Sequence, residues 1–385
     1  MSYEKPYAGL RVVDLSQGIA GPYCAMLLAQ YGADVVKVEP PEGDWSRVLG
    51  PRYGSHTAFS VIGNLGKRSI VLDLKQAGDK EKLRRLVGTA DVFMEGFRPG
   101  VAARLGFGFE AVKALAPGII YVSVSGFGQT GPLSAKPAMD PVLQAFTGFT
   151  LDNKGHDGIP HRANPVIVDM STALYTHQAV AAAIYARRDD ARARFIDSSL
   201  MAAAANLQAV RMCATVMEGG TMPIATSPSG VFRTADGWLH LVVLKNSDFQ
   251  ALCGLIDRPD LAADPRFAGP AGRAAHAEEL NAAVAAHVAA QPTAYWQACL
   301  TEAGLQNEAA QDYTQFTAHP HTEATGLISR LAQPGGDRIW PVPNPAGAPP
   351  LVSGSPEATA PELGQHTEEV LLELAESDAA AAAEE

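Results

Sequence analysis

The stretch from Leu10 to Glu39 decides most of what this chain can fold into. It opens with a short Val-rich run, LRVVDLS, passes through Gly18, Gly21 and Pro22 into the apolar segment YCAMLLAQYGA, and closes with a second run, DVVKVE, that stops at Pro40 and Pro41. Short apolar runs bounded by turn residues read as buried strands, because only a strand covered on both faces has no polar side to show. Pro22 suits a first helical turn, where its missing N–H would have no partner anyway, and Gly32 suits the helix stop. Strand, helix, strand is a β-α-β unit, with its strands parallel. Two further runs, SIVLDL over Ser69–Leu74 and IIYVSVS over Ile119–Ser125, repeat the pattern with helical stretches between them. The expectation is an α/β fold, a parallel sheet covered by helices.

At 385 residues the chain exceeds the usual size of one domain. An Ala-rich helix follows Val166–Asp169 and runs to about Arg187, and another apolar stretch spans Phe195–Val216. Gly, Pro, Thr and Ser gather over Gly219–Gly230, a linker composition. Beyond it, GVFRTADGWLHLVVL reads as a hairpin turning at Ala235, Asp236 and Gly237, with helical patterning as far as Gly304. The expected organisation is a large domain over 1–205, a linker over 206–230 and a smaller α+β domain over 231–330. A Pro-rich, loop-like segment over 331–385 closes with a helix, His366–Glu376, that returns to the large domain.

Lys plus Arg number 30 against 41 Asp plus Glu, a net charge of −11 with no dense basic block, which excludes nucleic acid or an anionic membrane as the main partner. No window offers the roughly 18 strongly apolar residues of a membrane span. The first residues lack the features of an export leader, so a cytoplasmic protein is expected. Cys24, Cys213, Cys253 and Cys299 lie far apart without a C-x-x-C pair, so buried reduced thiols are expected, and no metal site.

Gly126, Phe127, Gly128, Gln129, Thr130 and Gly131 spell the G-x-G-x-x-G string of a dinucleotide-binding turn. That fingerprint needs its third glycine to open a long helix, and Pro132, Pro137 and Pro141 forbid one. Glu39, ending the second strand, imitates a ribose-binding acid, but the first turn lacks the middle glycine. Asp169 stands where an apolar run gives way to a helix, which suits an N-cap. A carboxylate there is also held as an anion by the helix dipole and free N–H groups, ready to act as a nucleophile. Arg98 and Arg104 bracket Pro99 and Gly100 after ADVFME, a placement that serves phosphate contacts at the sheet's carboxyl end or plain solubility. His319 and His321 flank Pro320 with no third ligand evident and read as an exposed loop. DDARAR, over Asp189–Arg194, reads as a solvated turn.

Taken together, GLRVVDLSQGIAGPYCAMLLAQYGADVVKVEPPEGDWSR, NLGKRSIVLDLK, ADVFMEGFRPGVAARLGFG, VSVSGFGQTGP and APELGQHTEEVL closely resemble the family III CoA-transferases, the group that includes formyl-CoA and carnitine CoA-transferases. The blocks follow the family's order across nearly the whole chain. The resemblance implies a Rossmann-like large domain built from both chain ends, a small domain inserted between them, and a homodimer of two interlocked rings. It implies that Asp169, in NPVIVDMSTAL, is the nucleophile. CoA contacts are implied at Leu72, Asp73, Leu74 and Lys75, at Gly96, Phe97 and Arg98, at Arg104, and at Lys136, while Gly18, Ile19 and Ala20 are implied to approach the thioester. CoA and acyl-CoA are then substrates, and no tightly bound cofactor is expected. The chain departs from the family at Gly96, where Asn is usual, and at DDARAR, where a T-G-x-G-Q turn is usual.

On that resemblance, ionised Asp169 attacks a donor acyl-CoA to give an acyl-aspartyl anhydride, and the released thiolate then forms an aspartyl-CoA thioester that an acceptor carboxylate resolves. An ordinary Asp pKa of about 3.9 would keep the nucleophile ionised without a base. Backbone N–H groups near Gly18–Gly21 or in the linker would stabilise the oxyanion. An α-methylacyl-CoA racemase is the nearest alternative, and it wants two acid–base groups flanking the α-carbon. That branch has a His immediately before the Asp that follows GFGQTGP; here Met139 precedes Asp140, leaving His156 or His161 as substitutes. A non-catalytic CoA-binding protein would have no need of Asp at 169. Residues 146–165 and 219–230 are expected to shape the acyl site without identifying the acid.

Overall fold

The computed structural model describes residues 5–154, 158–220 and 224–384, with the backbone alone over 378–384. The chain divides into two compact units, one that runs to Ala209 and resumes at Glu323, and one that spans Val210–Thr322.

Six strands build the main sheet of the first unit: β1 (Arg11–Asp14), β2 (Asp34–Glu39), β3 (Arg68–Val71), β4 (Val92–Glu95), β5 (Ile120–Ser125) and β6 (Arg194–Ser199). They lie in the order β3-β2-β1-β4-β5-β6 and every pairing is parallel. The chain winds outward from β1 to β3, then returns to the other side of β1 and winds outward again. Where such an order reverses, connections leave the two central strands in opposite directions and open a crevice at their carboxyl ends. Here the crevice lies between the turns that follow β1 and β4.

Among the helices are α1 (Ala20–Gln30), α2 (Ala77–Gly88), α3 (Asp140–Phe146), α4 (Ile167–Ala186), α5 (Ala209–Met217) and α6 (Thr367–Glu384). Strand alternation sends Val12 to one face of the sheet, into a core with Cys24, Leu28 and Val180, and Val13 to the other, into a core with Leu83, Leu86, Val370 and Leu374. Burial on both faces is why the strands carry almost no polar alternation. Each such valine contributes roughly 1.5–3 kcal/mol relative to exposure. Val370 and Leu374 belong to α6, so the end of the chain is part of the core that its beginning starts.

The second unit holds three antiparallel strands, β7 (Ser229–Arg233), β8 (Trp238–Val242) and β9 (Gln306–Ala309), in the order β9-β8-β7. Helices pack on them around Phe232, Leu239, Phe249, Trp296 and Leu300.

Several local expectations are corrected. The residues expected to open a linker at 206 are helical over Ala209–Met217. The Pro-rich stretch beyond Leu331 is not all loop: Ile339–Pro343 pairs antiparallel with Ile328–Ala332. A two-stranded ribbon needs hydrogen bonds on one edge of each strand only, which leaves room for Pro341 and Pro343. Cys24 and Cys253 are buried, but Cys213 is exposed, because no side chain of α5 is buried in this chain.

Candidate active site

A cleft of about 780 Å³ occupies the crevice between β1 and β4. Its lining comes from the turn after β1 and the start of α1, from Trp45, from the turn after β4, from Ser125–Gly126 and Ser134–Met139, and from Asp169 on α4.

The first turn is held from below by charge. Asp14, at the end of β1, accepts from the Ser16 N–H at 2.9 Å and from the Lys67 ammonium at 2.8 Å. Lys67 is satisfied by two further acceptors, the Pro22 carbonyl at 2.8 Å and the Asn64 side chain at 3.2 Å. Lys37, on β2, donates to the Ser16 carbonyl and to Asp44 at 2.9 Å. Asp44 in turn accepts from the N–H groups of Gly18 at 3.0 Å and Ser46 at 2.8 Å. All four charged side chains are buried. Burial opposes ionisation of Asp14, but Lys67 and Lys37 outweigh it and hold the carboxyl below its ordinary range. Gly18 has φ +84°, and a Cβ there would lie 2.2 Å from the Trp45 ring, so only glycine lets this turn pass beneath Trp45.

Glu39, the apparent ribose acid, is fully occupied. Arg47 grips it with two bonds of 2.7 Å, and Ser69 donates to it at 2.6 Å. Against burial, Arg47 and Lys37 hold its carboxyl down at about 2.

Asp169 is not the N-cap of α4 but its third residue; the cap position is Val166, whose side chain makes no capping bond. The capping role falls to Asp140, the first residue of α3, which accepts from the N–H groups of Val168 at 2.6 Å and Asp169 at 3.0 Å. Gln144 fixes Asp140 from the next turn at 2.6 Å and is itself anchored to Ala163. No cation neutralises this arrangement, and Asp169 makes no side-chain hydrogen bond or ion pair among the described residues. Burial, with a smaller push from Asp140, raises the Asp169 carboxyl to about 7. The expectation of an ordinary, fully ionised aspartate is therefore corrected.

The turn after β4 is positioned by Glu95, which accepts from the Phe97 N–H at 2.8 Å and from the Ser123 hydroxyl. Gln129 donates to the same hydroxyl at 2.8 Å. The glycine-rich string thus supports this turn rather than opening a helix; α3 begins only at Asp140. A Cβ on Gly96 would stand 3.3 Å from Ser16, so the missing asparagine is one that would have pressed on the first turn.

Of the residues singled out in the sequence, the structure gathers Ile19, Ala20, Gly96, Phe97, Arg98, Lys136 and Asp169 around the cleft. Gly18 lies behind its lining, bound to Asp44. Leu72 is in the core, while Asp73, Leu74 and Lys75 form the turn after β3, away from the lining; Asp73 accepts from the Lys75 N–H at 3.0 Å. Arg104 is exposed on a short helix, Val101–Leu105, also outside it. Arg98 and Lys136 have no carboxylate partner among the described residues; the Lys136 ammonium lies 5.6 Å from the centre of the Phe127 ring. The N–H groups of Gln17, Ile19, Ala20 and Gly21 have no partner either, the last two being the orphan donors of a helix start. Trp45, Gln17, Asp44 and Asp140 are site residues that the sequence motifs did not single out for this role. His161 is exposed, and His156 lies outside the described residues. Among the described residues, no group of three or more His, Cys, Asp or Glu is placed to hold a metal, and no single helix is long and apolar enough to cross a membrane.

Fold and site together define a doubly wound α/β protein whose crevice holds a carboxylate, N–H donors and two cations that are unpaired among the described residues. The chain belongs to CoA-transferase family III, whose family model matches residues 7–367. It is 36% identical to an acetyl-CoA:oxalate CoA-transferase of Acetobacter aceti over 84% of this chain and 85% of that protein. It is 33% identical to a succinate–glutarate CoA-transferase of Agrobacterium fabrum over 96% of each. The crystal structure of Rv3272 from Mycobacterium tuberculosis superposes with a TM-score of 0.85 at 29% identity, covering 96% of this chain and 100% of that one.

Proposed function

We propose that this CoA-transferase moves CoA from an acyl-CoA donor to a free carboxylic acid through covalent intermediates on Asp169. The observation that carries the proposal is a carboxylate without a partner among the described residues, at the first turn of α4, in a cleft also lined by Gln17, Ile19, Ala20 and Gly21, whose N–H groups are free.

An Asp169 oxygen attacks the thioester carbonyl, the C–S bond breaks, and an acyl-aspartyl anhydride and CoA thiolate result. The thiolate attacks the aspartyl carbonyl, forming an enzyme-bound thioester and releasing the donor acid. An acceptor carboxylate attacks that thioester, regenerating the thiolate and a new anhydride. Attack of the thiolate on the acyl carbonyl then delivers the new acyl-CoA and restores Asp169. No proton is transferred and nothing is oxidised. Each attack develops an oxyanion that the free N–H donors stabilise. Arg98 and Lys136 meet the phosphates of CoA, which is how a chain of net charge −11 binds a polyanion. The racemase alternative is not favoured, because Met139 lines the cleft where a proton carrier is wanted and Asp140 is engaged in capping.

Hydroxylamine or borohydride applied after incubation with acyl-CoA is expected to modify Asp169 itself, seen by mass spectrometry of its peptide. Asp169→Asn keeps the shape but removes the anionic oxygen, so transfer should fall by about 10⁴-fold or more with folding intact. An unlabelled wild type that exchanges α-protons would overturn the mechanism.

The working form is a homodimer of interlocked subunits. Family membership supports this, as do the apolar side chains left exposed in the single chain, among them Leu174 and Tyr185 of α4 and Val210, Val216 and Met217 of α5. Interlocked subunits cannot part without unfolding, so sedimentation should show no native monomer on dilution. A native monomer at low concentration would rule the interlocking out.

A further inference from the structure

We propose that the buried Lys37–Asp44 pair is a positioning element for the transfer reaction, fixing two walls of the cleft so that the free N–H groups of the first turn meet the thioester oxygen. The inference rests on Asp169 being the nucleophile. One carboxylate, Asp44, holds the backbone of both walls: the first turn through Gly18 N–H at 3.0 Å, and the 3₁₀ turn Trp45–Val48 through Ser46 N–H at 2.8 Å. Lys37 closes the arrangement from β2, bonding Asp44 at 2.9 Å and the carbonyl of Ser16. The two walls touch, since the space where a Gly18 Cβ would stand is taken by the Trp45 ring.

A buried ion pair is a poor device for stability alone, because desolvation offsets most of its attraction. What it supplies is directional: Lys37 and Asp44 together bind three backbone groups within the lining segments. By engaging Gly18 N–H, Asp44 also removes that donor from the oxyanion site and leaves Gln17, Ile19, Ala20 and Gly21. Neither Lys37 nor Asp44 lines the cleft, so neither is a catalytic residue.

The test uses the full chain with Asp44→Asn and the double variant Lys37→Met/Asp44→Asn, in which no charge is left unpaired. Folding is checked by circular dichroism and melting, CoA affinity by calorimetry, and the first half-reaction by single-turnover labelling of Asp169. Both variants are expected to fold and to bind CoA as the wild type does, while labelling and kcat fall by about 100-fold, the scale of losing one oxyanion donor. If Asp44→Asn alone fails to fold, the double variant decides. Wild-type kcat in a folded variant, a loss confined to CoA affinity, or failure of both variants to fold would overturn the positioning role. Absence of labelling in the wild type would instead overturn the Asp169 mechanism, so the two failures are distinguishable.

Discussion

The first β-α turn and the α3–α4 wall both hold the cleft's backbone with buried carboxylates, yet they treat charge in opposite ways. Under the first turn Asp14 and Asp44 are matched by Lys37 and Lys67, and Asp14 is held below its ordinary range. In the α3–α4 wall Asp140 and Asp169 share a helix start with no cation beside them among the described residues, and Asp169 is pushed up to about 7. The same residue type is thus a fixed anchor in one place and a group near its titration point in the other. Neutralised charge makes scaffold, and on the proposed mechanism the uncompensated carboxylate is the one that meets the substrate.

The most severe way to break this contrast is to remove a counterion from the balanced side. Lys67→Met leaves Asp14 buried without its nearest cation, and the chain should lose about 3–5 kcal/mol of stability in chemical denaturation. A loss below about 1 kcal/mol would mean that Asp14 is not charged in the folded protein. A smaller effect is expected from the unpaired cations. Arg98→Ala should weaken CoA binding by about 1.5–3 kcal/mol in calorimetry while leaving stability near wild type. Unchanged affinity would remove Arg98 from the CoA site.

The smallest effect sharpens the contrast on the other side. On the proposed mechanism it is the ionised Asp169 that attacks, so the rate of the first half-reaction should rise with pH up to about 7 and level off above it. Asp140→Asn keeps an acceptor for the Val168 and Asp169 N–H groups but removes the neighbouring negative charge. The Asp169 carboxyl then titrates lower, and the acid limb should move to lower pH with the plateau little changed. Burial is the larger cause of the shift, so the limb should not reach ordinary aspartate values. A limb that stays in place would show that Asp140 does not act on Asp169 through charge.

The parallel sheet was legible because both its faces are buried, so VVDL and VVKV could hardly be anything else. Asp169 was singled out through the family's motif, but its setting was not legible. The cap it was expected to form comes from Asp140, 29 residues earlier in the chain, and no local pattern reports that contact. Its raised pKa depends on burial, which spacing does not express. The ion cluster had a signal in the sequence: Lys37 stands between Val36 and Val38 in β2 and Asp14 follows Val12 and Val13 in β1, and a charge inside a sheet covered on both faces must have a partner. The ribbon at Ile339–Pro343 was hidden because its prolines mimic loop composition.

The C-terminal segment also finishes the sheet's edge. Strand β3 is outermost, and its outward-facing groups are taken by the last part of the chain: Ser69 N–H by the His366 ring at 3.1 Å, Ser69 carbonyl by His366 N–H at 2.9 Å, and Val71 N–H by the Thr367 hydroxyl at 3.1 Å. During synthesis that edge therefore stands open from the moment β3 is made until His366 and Thr367 have been added. An open edge is a template for pairing with other chains. For a growing polypeptide, the edge is exposed to misassembly while the 297 residues that separate Ser69 from His366 are being added.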